Sequence, residues 1–258
     1  MNQQDWWRVE NLELEERQVR KTQDQSKLDP RNDFGSYRLL LHGIDSKTAQ
    51  ISEHNDVQPR RKVEAIARLL RVTNPASVLD VGCGVGYTTE ALALKYPGAE
   101  VLGVDLSSDG ITFARRMHRK ANFDVRPVVP DGPSLGCFDL IFCFEFYPFT
   151  RNADAVVQTS YIRYFINQLE PGGQLVIYQA WRNPHSLSAV YEKLIAAMPE
   201  FRFDIHVIAH PKLLAVLPSS LARLAGAVLG KLFGKELLRK VLLISSSDIA
   251  NGAGVKNI

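Results

Sequence analysis

Ser77-Val78-Leu79-Asp80-Val81-Gly82-Cys83-Gly84-Val85-Gly86-Tyr87 is the stretch on which the fold turns. Ser77 to Val81 is a short apolar run that stops at glycine, the pattern of a strand buried in a parallel sheet. The three glycines at alternate positions let the backbone turn tightly and pass close to a ligand with no Cβ in the way. Outward from this stretch, helix and strand alternate. Upstream, Val63, Ile66, Ala67 and Leu70 fall at helical spacing until Asn74-Pro75. Downstream, Thr88 to Tyr96 reads as a helix and Val101 to Asp105 as a second strand, after which Ser107 or Ser108 caps a helix running to about Lys120. Phe123 to Val129 and Phe138 to Phe144 are the third and fourth strands. Val157, Tyr161, Tyr164, Phe165 and Leu169 stripe a helix closed by Pro171-Gly172-Gly173, and Gln174 to Gln179 is the fifth strand. Leu187, Val190, Tyr191, Leu194 and Met198 mark another helix. Phe201, Phe203, Ile205 and Val207 then alternate with polar residues, as in a strand buried on one face, and Lys240 to Ile244 reads as a more central strand. The pattern predicts an open, doubly wound α/β sheet.

Composition narrows the class. The chain has 258 residues, 45% hydrophobic and 23% charged, which fits one globular domain with appendages and excludes a disordered or collagen-like chain. Cys83, Cys137 and Cys143 make neither a disulfide framework nor a metal-ligand spacing, so no metal is expected. Met1 to Trp7 lacks the basic-then-apolar run of a signal peptide, which leads to the expectation of a cytosolic protein. The net charge is +3, but from Ala209 to Val241 Lys212, Arg223, Lys231, Lys235, Arg239 and Lys240 face only Glu236, a local +5. A nucleic-acid binder spreads its basic surplus over the domain, so nucleic acid is not an expected partner.

In a doubly wound sheet, ligands sit beyond the carboxyl ends of the strands. The glycine turn leads there, and so does Asp105, a strand-end carboxylate able to accept hydrogen bonds from both hydroxyls of a ribose. The pairing reads as a site for a nucleoside-containing cofactor. The dinucleotide fingerprint, G-x-G-x-x-G, is not the spacing here, and Asp80 in the mouth would repel a diphosphate. It is suited to an ammonium group. Adenosine joined to a zwitterionic amino acid fits better than a nicotinamide dinucleotide.

At these residues the sequence resembles the class I S-adenosylmethionine-dependent methyltransferases. Val78 to Gly86 is similar to their first motif, Val104-Asp105 to their ribose-binding strand end, Phe138-Asp139-Leu140-Ile141 to their fourth-strand motif, and Leu169-Glu170-Pro171-Gly172-Gly173 to the turn before their fifth strand. The resemblance implies a mostly parallel seven-stranded sheet with an antiparallel last strand, which suits the alternation at Phe201 to Val207. Residues 61–258 would be the methyltransferase domain, with a helical basic insertion at about 209–239. Residues 1–60 would be a helical or irregular extension serving as a substrate lid. By position, Asp80, Gly82, Cys83, Gly84 and Gly86 would surround the methionine moiety, with Cys83 a small filler and no reactive thiol. Asp105 would hold the ribose, Leu106, Asp131 and Gly132 would meet the adenine, and Phe144 would complete the pocket.

The acceptor is less legible. The fourth-strand exit, Glu145-Phe146-Tyr147-Pro148-Phe149, has Pro148-Phe149 where quinone-type relatives carry Glu-His. It also lacks the tetrapeptide of amino-methylating DNA enzymes. His185 and Glu145 are the candidates for a general base, and Tyr147, Arg182, His42 and His54 for acceptor contacts. His118 and His206 are placed on surface faces. A small-molecule, sugar or lipid-precursor acceptor, methylated at oxygen or nitrogen, is expected, with a non-catalytic cofactor-binding or partner-binding protein as the alternative. In the basic segment, Leu217, Leu221, Leu224, Val228 and Leu232 share one helical face, with Gly226 and Gly230 on the outer side. That apolar face is expected to be covered by protein, as a lid or homodimer contact, with a peripheral membrane or lipid contact as the rival.

Overall fold

The computed structural model describes residues 57–150, 154–180, 191–214, 216–233 and 237–246. Helix α1 (Val57–Ala67) precedes strand β1 (Ser77–Val81), helix α2 (Tyr87–Lys95), β2 (Glu100–Asp105), α3 (Ser108–Met117) and β3 (Asn122–Val125). The second half runs β4 (Phe138–Phe144), a short α4 (Tyr147–Thr150), α5 (Ala155–Ile166), β5 (Leu169–Ala180), α6 (Tyr191–Ala197) and β6 (Phe201–Ala209). Helices α7 (Pro211–Leu214) and α8 (Ser219–Phe233) then lead into β7 (Leu238–Ser246).

One seven-stranded sheet has the order β3-β2-β1-β4-β5-β7-β6. Strand order reverses between β1 and β4, so the exits of β1, β2 and β4 open on a common crevice. The antiparallel strand is β7, inserted between β5 and β6 and pairing with both. The alternation at Phe201 to Val207 thus reflects an edge position, and the continuous apolar run at Val241 to Ile244 reflects the interior one.

Alternation along each strand divides the core in two. Val78, Leu140, Phe142 and Val176 face one layer with Ile66 and Leu92, while Leu79, Ile141, Leu175 and Ile177 face the other with Ile162, Phe165 and Leu194. Asp139 ties the centre together, since its Oδ2 accepts from the backbone N–H groups of Ala76 (2.6 Å) and Ser77 (3.0 Å) at the entry of β1. Ser107 caps α3 by accepting from the Gly110 N–H (3.1 Å).

Three expectations are corrected. Strand β3 ends at Val125, not Val129, because Pro127 and Pro130 have no N–H with which to continue the ladder. The Pro171-Gly172-Gly173 turn is absorbed into β5, where register slips between Phe138 and Leu140 and Gly172 takes φ +83°. The insertion is helical as expected, but Gly226 of α8 faces inward: a Cβ there would meet the Leu237 carbonyl at 2.8 Å. Ala222 is buried beside it, and Leu221, Leu224, Val228 and Leu232 are exposed. Among the described residues no helix is long and apolar enough to cross a membrane.

Candidate functional site

The glycine loop owes its shape to all three of its glycines. Gly82, Gly84 and Gly86 take φ +72°, +55° and +84°, the left-handed region that costs other residues strain. Its start is pinned to β2, where the Val104 carbonyl accepts from the N–H groups of Gly82 (2.8 Å) and Cys83 (3.1 Å). A Cβ on Gly86 would lie 2.7 Å from Phe123 Cε1 and 2.9 Å from Ala114 Cβ. Gly86→Ala therefore combines backbone strain with overpacking and is expected to cost about 3 kcal/mol, measured by urea unfolding.

Asp105 closes the loop from the far side. Its Oδ2 accepts from the Gly84 N–H and its Oδ1 from the Ser107 N–H, each at 2.8 Å. Burial pushes its carboxyl above the ordinary range, and these backbone donors hold it back. An ionised carboxylate has about four acceptor positions, so the two backbone donors leave capacity for hydroxyls. Leu106 follows, partly buried. Cys83 packs inside the loop next to Gly103, and burial pushes its thiol far up, in keeping with a filler role.

Asp80 is the unusual group. It is 1% exposed, its Oδ2 accepts from the Thr89 hydroxyl (2.7 Å), and its Oδ1 has no hydrogen-bond partner. Burial pushes its pKa up to about 6, against the opposing pull of Thr89 and Lys62. Lys62 of α1, which sequence reasoning missed, donates to the Thr88 hydroxyl (3.0 Å) and stands 4.2 Å from the Phe144 ring centroid. Burial holds its pKa down to about 8, while Asp80 and Glu145 raise it. Thr88 and Thr89 are neighbours in the first turn of α2, so one turn positions an anion and a cation side by side. A signal was present: Lys62 adjoins the apolar stripe of its helix. What it meets on α2, β4 and β5 has no local trace.

At the β4 exit, Glu145 has φ +51°, the sole non-glycine with positive φ among the described residues. Its N–H donates to the Tyr178 carbonyl (2.9 Å). This kink leaves Glu145 exposed and turns Phe146 under the loop, where its Cδ2 is 2.9 Å from the Cβ position of Gly82. Phe144 lies beside Lys62. Tyr147 opens α4. Asp131 is exposed and Gly132 partly buried in the β3–β4 loop. His42, His54, Arg182 and His185 lie outside the described residues. His118 is corrected: it is buried, with Nε2 3.0 Å from the Val85 carbonyl, and so supports the glycine loop. The chain carried it there because α3 ends against that loop.

A family model described as a methyltransferase domain matches residues 73–209. The chain belongs to this methyltransferase family. Trans-aconitate 2-methyltransferase of Rhodopseudomonas palustris (strain BisB18) is 29% identical over 133 residues, covering 52% of this chain and 49% of that protein. The chain thus spans about half the length of that relative. Ubiquinone biosynthesis O-methyltransferase of Azotobacter vinelandii is 25% identical over 210 residues, covering 78% of this chain and 85% of that one. The plantazolicin methyltransferase BpumL, solved in complex with SAH, shares the fold with a TM-score of 0.53 at 18% identity, over 93% of this chain and all of that one.

Proposed function

We propose that the protein transfers a methyl group from S-adenosylmethionine to an oxygen or nitrogen of a small-molecule acceptor. The observation that carries this reading is the buried, partnerless Asp80 Oδ1 beside Lys62, at the mouth of three left-handed glycines. A buried carboxylate oxygen without a donor is a site prepared for one. The cofactor's amino acid end supplies both complements, its ammonium for Asp80 and its carboxylate for Lys62. The glycine loop gives passage to the methionine chain, Asp105 accepts from the ribose, and Leu106 offers an apolar surface to the base.

The bound sulfonium supplies an already activated methyl group. The protein's task is then to hold the acceptor at attack distance and exclude water. A hydroxyl acceptor must also lose a proton, and Glu145, at the kinked exit of β4, is a candidate to take it. His185 remains a second candidate base, with Tyr147, Arg182, His42 and His54 as acceptor contacts. Asp131 and Gly132 remain candidates for the adenine edge.

Titration calorimetry with S-adenosylmethionine and with NAD tests the cofactor; binding of NAD alone would overturn the reading. Asp105→Ala, which strips two backbone donors of their acceptor, is expected to abolish S-adenosylmethionine binding and to lower stability by about 2 kcal/mol. Labelled methyl donor incubated with acceptor extracts, with mass detection of products, tests transfer itself. Binding without any labelled product would assign a non-catalytic role.

A further inference from the structure

We infer that α8, with the adjoining end of α1, forms a surface that docks on an anionic lipid bilayer. Helix α8 rests on the sheet through its small residues, Ala222 and Gly226, so its bulky residues point away. Leu221, Leu224, Val228 and Leu232 recur every three or four residues and are 54%, 63%, 48% and 71% exposed. They form an apolar stripe about 16 Å long, extended at one end by Val216, 74% exposed. An unpartnered stripe of this kind marks an interaction surface.

Charge identifies the occupant. The charged residues of α8 are Arg223 and Lys231, both exposed, and the helix holds no acid. Between α1 and the link that enters α8 lies a groove of about 360 Å³ that includes Arg61, Arg68, Glu64 and, of α8, Ser219. Glu64 is engaged by Arg61 at 3.0 Å, and Arg68 donates to the Ser219 hydroxyl at 2.9 Å, joining α1 to the start of α8. Lys231 borders the stripe beside Leu232, and Arg223 lies one turn along from Ser219, on the flank that meets Arg68. A helix with an apolar stripe and a basic margin suits the plane of an anionic membrane surface, where each cation adds attraction. A two-fold contact with a second copy would set the same cations against one another.

The test is co-sedimentation of the full chain with phosphatidylcholine vesicles, with and without phosphatidylglycerol. The expected result is sedimentation only with the anionic vesicles, weakened by salt. The R223Q/K231Q variant is expected to lose about thirtyfold in partitioning, the equivalent of two surface cations. L224D/L232D is expected to lose binding with an unchanged unfolding temperature. Three results overturn the proposal. One is equal behaviour with both vesicle types. Another is a lowered unfolding temperature in L224D/L232D, which would place the stripe against the chain's own residues. The third is a dimer in solution that L224D/L232D splits. None of these measurements needs a methyl donor, so their failure leaves the methyl-transfer reading standing.

Discussion

Replacing Asp80 by asparagine is expected to make the protein more stable at neutral pH and to deprive it of its cofactor. Burial raises the Asp80 carboxyl from 3.8 to about 6 in the folded chain. The folded state therefore holds this proton more tightly than the unfolded state does. Stability falls as pH rises through that interval, and the penalty is complete above about pH 6. A shift of this size corresponds to roughly 3 kcal/mol. Asparagine escapes the penalty while still accepting from Thr89, and the attraction to Lys62 is already contained in that shift, so the gain at pH 7 is about 3 kcal/mol. Urea unfolding of both proteins should show this gain at neutral pH and almost none near pH ~3.5, where Asp80 is protonated in both states. Binding of S-adenosylmethionine should fall by about a hundredfold or more, because its ammonium then enters a buried position with no anion. An Asp80→Asn protein less stable than wild type at pH 7 would mean that the carboxylate serves the fold and awaits no ligand. Such opposition between stability and activity is expected where a site holds a destabilising charge.

How far the sequence could be read depended on whether the cause was local. The glycine loop, β1 and the Ser107 cap are determined within a few residues, and all three stand where the pattern placed them. The helical period of Ser219 to Phe233 was legible too, but not its orientation. An apolar face is ordinarily the buried one, yet here Gly226 lets the backbone of α8 approach Leu237 so closely that the small face wins. The third strand overran because its apolar run continued past Val125, while Pro127 removed the donor needed for pairing. Lys62 and His118 were missed for a different reason. Each acquires its meaning from a partner in another element, Lys62 from Thr88 and Phe144, His118 from Val85. Asp80 was legible as a carboxylate in the mouth, but its partnerless oxygen is a fact of packing alone.

Lys62→Met is expected to remove the positive half of the same site. The Lys62 ammonium stands over Phe144 at 4.2 Å and near Tyr178 at 5.3 Å, and burial lowers its pKa from 10.5 to about 8. A folded-state pKa below the unfolded one disfavours the charged form, so this residue lowers stability below about pH 8, and the cost fades as pH rises from there to 10.5. Methionine fills similar space between the rings without that cost, so the variant should fold at least as well as wild type at neutral pH. Its affinity for S-adenosylmethionine should nevertheless drop by about a hundredfold, because the cofactor's carboxylate loses its cation. Rescue by arginine separates this from a packing effect. Wild-type affinity requires Asp80 ionised and Lys62 protonated, so it should be greatest between about pH 6 and about pH 8 and fall on either side. Asp80→Asn should lose the acid limb and Lys62→Met should keep it, while an alkaline limb remains in both because the cofactor's own α-ammonium loses its proton at about pH 8. Lys62→Arg, which keeps the charge, should recover part of the affinity. Calorimetry at neutral pH with the three variants decides the matter: an affinity in Lys62→Met equal to that of wild type would remove this lysine from the cofactor site.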